Sequence, residues 1–358
     1  MNLGVFMMPL HPPEKDRTQC FEEDTELVIL ADKLGLTEAW IGQHHTAKWE
    51  PIPSNDLFIA SLIPQTVQIR LGTGVTIITQ HHPANVAVRL AYLDHLSKGR
   101  LNVGFGQGGV PTDWELFDLP DPGTQGLMTL EAMDMVMRLW NETAPFELKG
   151  DFWNIGIDRQ DPDLGLGELL RPYQMPHPPI AMSIVRAESR AARTCGQKGF
   201  FPISINMAPA NKVKRQWELY CEGAAEGGRE SPARSIWRIS RSIFVGETDG
   251  EARDFALNGA FAKSLLYLKG MMKLGGMLDL LKIDPDMPDD ALDAEYIVDN
   301  IAVVGSPDTV RQKLQDLFEI TGGFGTLLMI AHDWDDKPRW HRCMELMKKE
   351  IVPKLPTI

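Results

Sequence analysis

Short, continuously apolar runs alternate along this chain with stretches in which apolar residues recur every three or four positions. The runs are Leu3–Met8, Glu38–Gly42, Ile69–Ile77, Arg100–Phe105, Ile180–Ile184, Phe200–Ser204, Trp237–Val245 and Thr326–Ile330. Their length suits strands, and they lack the in–out alternation of a sheet with one wet face, so they predict parallel strands buried on both sides. The intervening stretches predict helices over Phe21–Leu34, Asn55–Pro64, Pro83–Leu96, Leu127–Trp140, Glu188–Gly196, Ala210–Gly227 and Trp340–Ile351. In the first of these Leu27, Leu30, Ala31 and Leu34 share a face and Gly35 ends it; Pro83 stands at a first turn, where its missing N–H costs nothing. Eight such units in an α/β chain predict a closed TIM (β/α)8 barrel, with a doubly wound open sheet as the alternative.

Two segments break the rhythm and predict insertions after strands four and seven. Residues 145–177, with KGDFW, DRQDPDLGLG and RPYQMPHPP, read as an excursion between helix four and strand five. Residues 278–299 are acidic, Pro-containing and weakly patterned, and predict a mobile loop, either a lid or a solvated connection. TIM barrels reach 358 residues through insertions of this kind, so residues 1–358 read as one elaborated domain.

Composition narrows the function classes. A net charge of −13 argues against a nucleic-acid or anionic-membrane surface. Cys20, Cys195, Cys221 and Cys343 are scattered without C-x-x-C spacing, which fits reduced thiols in a cytoplasm better than a disulfide framework or a thiolate metal site. A strand, LGVFMM, follows Met1 almost directly, with no basic segment and apolar run of the export type, and no apolar stretch is long enough to span a bilayer.

Candidate chemistry gathers where the predicted strands end, the face on which such barrels build their sites. His44-His45 follow strand two, His81-His82 follow strand three, and Gly104–Gly109 closes strand four. Adjacent side chains on an extended segment point to opposite sides, so one of His44 and His45 faces the strand ends, as an acid/base or hydrogen-bond donor, while both are also readable as polar loop residues. Adjacent histidines do not readily chelate one ion, and H-E-x-x-H is absent, so no metal site is expected. Gly104–Gly109 formally matches G-x-G-x-x-G, but Val110-Pro111 divert the chain before any helix and no acidic strand end follows about 20 residues on, as the dinucleotide motif requires. Backbone free of side chains there lets a flat ring lie against the end of strand four, and Gly72 and Gly74 permit either the same close approach or tight strand packing. Ser183, Arg186, Ser189 and Arg190 bridge strand five and its helix and combine N–H groups, hydroxyls and guanidiniums suited to a phosphate; an ordinary N-cap explains Ser189 equally well. His332-Asp333-Trp334 ends strand eight, with Trp334 as an aromatic wall or as core packing.

The segments AWIGQHH, LGTGVTIITQHHPANVAVRLAYLDHLSKGRLNVGFGQGG, RPYQMPHPPI and VGSPDTVRQKLQDLFEITGGFGTLLMIAHDW resemble the bacterial luciferase-like flavin-dependent monooxygenases, in particular their limonene-monooxygenase-like branch. The resemblance runs from strand one to the last helix. It implies a homodimeric TIM barrel that takes FMNH2 from a separate flavin reductase, reacts it with O2 to a C4a-peroxyflavin and oxygenates a small alkene, ketone or aldehyde. It implies that His44 sits near the flavin and that Gly74-Val75 is a non-prolyl cis peptide beneath the ring. Where luciferases carry a Cys-Arg pair after strand four, this chain has Gly106-Gln107, so the reactive thiol is missing and the phosphate contact passes to Arg186, with Ser183 and Ser189. Gln43 stands where luciferases have glutamate. An F420-dependent hydride-transfer enzyme and a flavin-binding protein without turnover are the alternatives within the same barrel.

Overall fold

The computed structural model describes residues 1–358. Its core is a closed, all-parallel barrel of eight strands: Asn2–Leu10, Glu38–Ile41, Arg70–Thr73, Leu101–Gly106, Ile180–Ile184, Phe201–Ser204, Arg238–Arg241 and Thr326–His332. Strand one pairs with strand eight from Asn2↔Thr326 onward, and the ring closes where strand three meets strand four at Leu71↔Leu101 and Gly72↔Asn102. The TIM barrel expected from the apolar runs is therefore the observed fold, and the open sheet is not.

Strand register decides what points inward. Glu38, Trp40, Arg70, Gly72, Arg238 and Ser240 share the interior parity. Glu38 and Arg238 reach across the N-terminal end as a two-pronged ion pair at 3.1 and 3.2 Å, with the guanidinium 4.0 Å above the Phe201 ring. Above this floor the fully buried Trp40 fills the barrel, and a Cβ on Gly72 would lie 2.5 Å from its ring. A Cβ on Gly104 would collide with the carbonyl of Thr73. At these two positions glycine serves strand crowding, which at Gly72 the sequence left level with ligand approach and which at Gly104 corrects the expectation of a ring lying against the backbone.

The helices follow the predicted order with shifted ends, among them Arg17–Lys33, Asn55–Leu62, Pro83–Ser97, Pro122–Leu139, Arg190–Lys198 and Ala210–Glu226. The second histidine pair is absorbed here. His82 caps the helix at Pro83, its ring accepting from the Ala84 N–H at 3.3 Å, while burial and then Arg89 hold His81 down at about 4.

Three differences from expectation have physical causes. The run Trp237–Val245 is two strands, not one. Ser242 gives its N–H to Asn206 Oδ1 at 3.0 Å instead of a neighbouring strand, and Ile243–Val245 leaves the barrel to pair with Val303–Gly305. Residues 278–299 contain two 3-10 turns, Leu278–Leu280 and Asp289–Ala291, and most of the helix Ala294–Asn300, pinned by buried Leu281, Leu292, Ile297 and Val298. Helices Asp249–Asn258, Ala260–Leu274 and Pro307–Thr321 occupy a stretch for which the apolar spacing names none. Within 145–177 an antiparallel hairpin, Phe146–Lys149 with Asn154–Ile157, stands outside the barrel.

Candidate active site at the mouth of the barrel

His44 leaves strand two on a loop closed by its own N–H to the Ile52 carbonyl at 3.0 Å. Its ring lies between two carboxylates. Nδ1 is 3.3 Å from Asp113 Oδ2, and Nε2 is 3.4 Å from Glu50 Oε2. Asp113 is carried by a short helix, Pro111–Leu116, that opens directly after the glycine loop of strand four; Val110-Pro111 do not divert the chain as expected, because Pro111 takes the first helical position. Glu50 closes the His44 loop and accepts the Tyr267 hydroxyl at 2.9 Å; Tyr267 belongs to the helix Ala260–Leu274, and Trp49 stacks on it at 5.2 Å.

The electrostatics follow from burial. Burial disfavours the imidazolium, but the charges of Glu50 and Asp113 outweigh it and hold His44 above its ordinary value. Burial pushes the Glu50 carboxyl up, against the pull of His44 and Tyr267. Asp113, though buried, lies at about 2, because it accepts from His44, from the Thr46 N–H and hydroxyl at 2.8 and 2.5 Å, and from the His45 N–H. His45 turns the other way, to Gln80 Oε1 at 3.1 Å and edge-on to Phe117. Sequence reasoning separated the two histidines through backbone alternation but missed Asp113 and Glu50. The signal for Asp113 was present in Pro111-Thr112-Asp113, a helix start with an acid in its first turn.

Beside this cluster, strand three is interrupted at Gly74-Val75, whose peptide bond is cis. Asn55 Nδ2 donates to the carbonyls of Ile41 and Val75 at 3.1 and 3.0 Å, tying the end of strand two to this segment. The strand resumes at Thr76–Ile77, paired with Phe105 and Gly106. A Cβ on Gly106 would lie 2.7 Å from Val75 Cγ2, so the wall formed by Val75 and Gly106 has no room for a side chain. On the segments that lead to and from these strand ends, Gln43 Nε2, Thr76 Oγ1 and Thr79 Oγ1 are buried without a hydrogen-bond partner in the protein, as is Gln80 Nε2, whose Oε1 meets His45. Such orphaned groups cost roughly 1–3 kcal/mol each unless something else satisfies them. Gln107 follows on the loop, its side chain toward Gly126.

Strand five runs beside strand four with Phe105↔Met182, and continuing that register sets Ser183 next to Gly106. Ser189 is the N-cap of Arg190–Lys198, its hydroxyl accepting from the Ala192 N–H at 3.2 Å, so capping explains its buried position. Arg186 is exposed and reaches the Gly275 carbonyl at 3.2 Å, beyond the end of the Tyr267 helix. The structure thus joins Ser183 to the Val75–Gly106 wall, and sets Arg186 and the free N–H groups of the following helix farther out along the same segment.

Strand eight ends in residues with structural work. His332 is fully buried, which holds it down at about 3, and its neutral ring bridges Ser264 Oγ at 2.7 Å and Ser242 Oγ at 2.9 Å. Asp333 turns to His11, at 2.6 Å, and Lys15, also at 2.6 Å. His11, Glu23 and Asp333 bring ligand atoms within 4.8 Å of one another, but the Lys15 ammonium is bonded to both carboxylates and already supplies the cation. Trp334 packs edge-on to His341 with Lys337 over its ring, the core role rather than the aromatic wall.

The family model described as luciferase-like monooxygenase matches residues 1–323. The chain is 31% identical to 3,6-diketocamphane 1,6-monooxygenase of Pseudomonas putida over 99% of its length and 98% of that protein's. It is 30% identical to limonene 1,2-monooxygenase of Rhodococcus erythropolis over 99% of its length and 86% of that protein's. Its structure resembles, with a TM-score of 0.92 at 30% identity over the whole of both chains, the oxygenating constituent of 3,6-diketocamphane monooxygenase from Pseudomonas putida, a type II Baeyer–Villiger monooxygenase solved in complex with FMN.

Proposed function

Because this chain belongs to the luciferase-like monooxygenase family, we propose that it is the oxygenase of a two-component system. It receives FMNH2 from a separate flavin reductase and uses O2 to oxygenate a small organic substrate: an alkene, a ketone or an aldehyde. The observation that carries this reading is His44, set between Asp113 and Glu50 at the mouth of a barrel that superposes over its whole length on an FMN-binding monooxygenase.

The residues present fit the cofactor. Val75 packed closely on Gly106 offers a flat ring a low apolar surface, and the orphaned polar groups of Gln43, Thr76 and Thr79 are hydrogen-bonding partners of the kind its polar edge needs. Gly74 belongs to the same wall and Gln107 borders it. Ser183, Arg186, Ser189 and the helix N-terminus they surround supply hydroxyl, guanidinium and N–H groups to a phosphate. Bound there, the reduced flavin supplies the oxygen-activating chemistry.

The chain supplies proton control and dryness. Glu50 and Asp113 favour the imidazolium of His44, which in that form donates at each side. Its contacts of 3.3 and 3.4 Å are longer than the ~2.7–2.9 Å of a tight charge-assisted hydrogen bond. The two carboxylates hold the ring mainly by charge, and an N–H held this loosely is the donor offered to an oxygen arriving at the mouth. The stacked pair Trp49 and Tyr267 covers Glu50 on one side of the His44 ring and limits water there, which favours oxygen transfer over loss of hydrogen peroxide.

Two further proposals complete the reading. A homodimer forms through the helices Asn55–Leu62 and Pro83–Ser97, which expose Leu57, Val88, Tyr92 and Leu96, with Val67 between them. The protein works in the cytoplasm, where its four free cysteines stay reduced; no helix is long and apolar enough to cross a membrane. Anaerobic titration with FMNH2 and with reduced F420, followed by mixing with O2 and a panel of cyclic ketones and terpenes, tests the whole. FMNH2 binding with oxygenated product supports it. Exclusive binding of F420 with alcohol oxidation, or flavin binding without O2 uptake, would overturn it.

A further inference from the structure

We propose that Glu50 and Tyr267 form a positioning pair that keeps His44 doubly protonated, so that the helix Ala260–Leu274, an insertion outside the barrel ladder, sets the charge state at the mouth. This rests on the reading of His44 as the proton donor. The groups facing His44 come from three elements: Glu50 on its own loop, Asp113 on Pro111–Leu116, and Tyr267, through Glu50, on Ala260–Leu274.

The two carboxylates are not equivalent. Asp113 already accepts two backbone N–H groups and a hydroxyl from His45 and Thr46, so much of its charge is answered without His44. Glu50 is equally buried and has no such cradle. Its partners are the His44 ring and the Tyr267 hydroxyl. A carboxylate this poorly solvated holds its charge only if those two donors stay in place, and in return it is the stronger hold on the second proton of the imidazole. Tyr267 cannot drift from this contact easily. Trp49 stacks on its ring with 18° between planes, and one turn earlier Ser264 fixes the same helix to His332 at the end of strand eight. The helix start is held as well, by the Ala260 N–H to Asp335 at 2.7 Å.

Nitrogen-15 NMR of the histidine rings in the flavin-free protein tests this directly, because it reads His44 without any turnover. Glu50→Gln should lower the proton affinity of His44 on the order of tenfold or more. Tyr267→Phe should lower it in the same direction by less, and Asp113→Asn by less than Glu50→Gln. Glu50→Asp, which keeps the charge, should restore most of the parent titration. A purely structural role for Glu50 would disturb melting without moving this titration. If Glu50→Gln does not fold, Tyr267→Phe removes one hydroxyl and carries the test alone. An unchanged His44 titration in the folded variants, or a larger shift from Asp113→Asn than from Glu50→Gln, overturns the proposal. Neither result depends on which flavin the protein uses, so failure here is separable from failure of the oxygenase reading.

Discussion

Replacing His44 with alanine is the perturbation that tests the mechanism most sharply. The side chain is four-fifths covered, with 19% exposure, and touches Asp113 and Glu50 through its ring nitrogens. Its loss leaves Asp113 with three other donors, so that carboxylate stays ionised. Glu50 loses its cation, keeps only Tyr267, and takes up a proton instead of staying charged in a dry site. The folding cost at neutral pH is then that of one broken charge-assisted contact, on the order of 1.5–3 kcal/mol, and the protein should remain folded. The wall of Val75 and Gly106 and the Ser183–Arg186 segment are untouched, so FMNH2 affinity should stay within about threefold of the parent, under ~1 kcal/mol. Product formation should fall by roughly 10²–10⁴, the loss expected for a positioned acid, or about 2.7–5.4 kcal/mol of barrier. The assay reads both fates of O2 in one vessel: oxygenated product by gas chromatography, hydrogen peroxide by a coupled peroxidase. O2 uptake should persist while its yield moves from product to peroxide. His45→Ala is the control, since that ring faces Gln80 and Phe117 and should leave the ratio unchanged. If His44→Ala gives product at the parent rate, His44 is a loop histidine and the assignment is wrong.

Arg186→Ala and Ser189→Ala should both weaken FMNH2 binding with little effect at saturating flavin, Arg186 by about 1.5–3 kcal/mol and Ser189 by less; equilibrium dialysis giving parent affinity for both would place the phosphate elsewhere. Gly106→Val should cost more than ten-fold in flavin affinity, because even its Cβ would meet Val75 Cγ2 at 2.7 Å where an unstrained carbon contact needs ~3.5–4.0 Å; tight binding by the variant would move the ring off this wall. Light scattering should give the dimer mass across a wide concentration range, and Leu57→Glu with Tyr92→Glu should give monomers; a monomeric parent refutes the interface. His11 is raised to about 11, because Asp24 and Asp333 outweigh its burial, so its folded value lies above the unfolded 6.5. The stability it confers is fully present below pH 6.5 and is lost as pH rises toward about 11. Denaturant midpoints of the parent and His11→Asn should therefore differ more at pH 6 than at pH 10, and an equal gap at both would show that the pair contributes no linked proton.

What was legible in the chain is what local pattern and backbone geometry control. The barrel was read from apolar runs alternating with helical spacing, with an open sheet as the alternative, and alternation at the end of strand two set the side chains of His44 and His45 on different partners. The carboxylates around His44 were not legible, since Asp113 is 69 residues away in sequence. Glu50, a nearby loop acid, is special only through the Tyr267 contact, which spans 217 residues. Strand seven misread for a related reason. WRISRSIFV is one apolar-rich run, and nothing within it shows that Asn206, from the end of strand six, takes the Ser242 N–H and ends the ladder. Residues 278–299 looked loop-like because their acids dominate composition, while Leu281, Leu292, Ile297 and Val298 are spaced too irregularly to show a period and are nevertheless buried in the main core.

The division of labour between barrel and insertion bears on how such a site diversifies. The wall of Val75 and Gly106 and the Ser183–Ser189 segment rise from strands three, four and five, whose ladder fixes them to each other. The Tyr267 helix comes instead from the long excursion after strand seven; it packs on the core through Phe261, Leu265 and Leu268, and its polar links to the mouth are Ser264 to His332 and Tyr267 to Glu50. On the proposed reading, the groups that meet the flavin sit on backbone fixed by the ladder, while the helix proposed to set the charge on His44 lies outside that ladder. On this architecture, substrate preference should follow changes in the insertion and cofactor preference changes in strands three to five. Exchanging residues 260–274 for those of a relative with another substrate is therefore the substitution expected to change which molecule is oxygenated while FMNH2 affinity stays near its parent value.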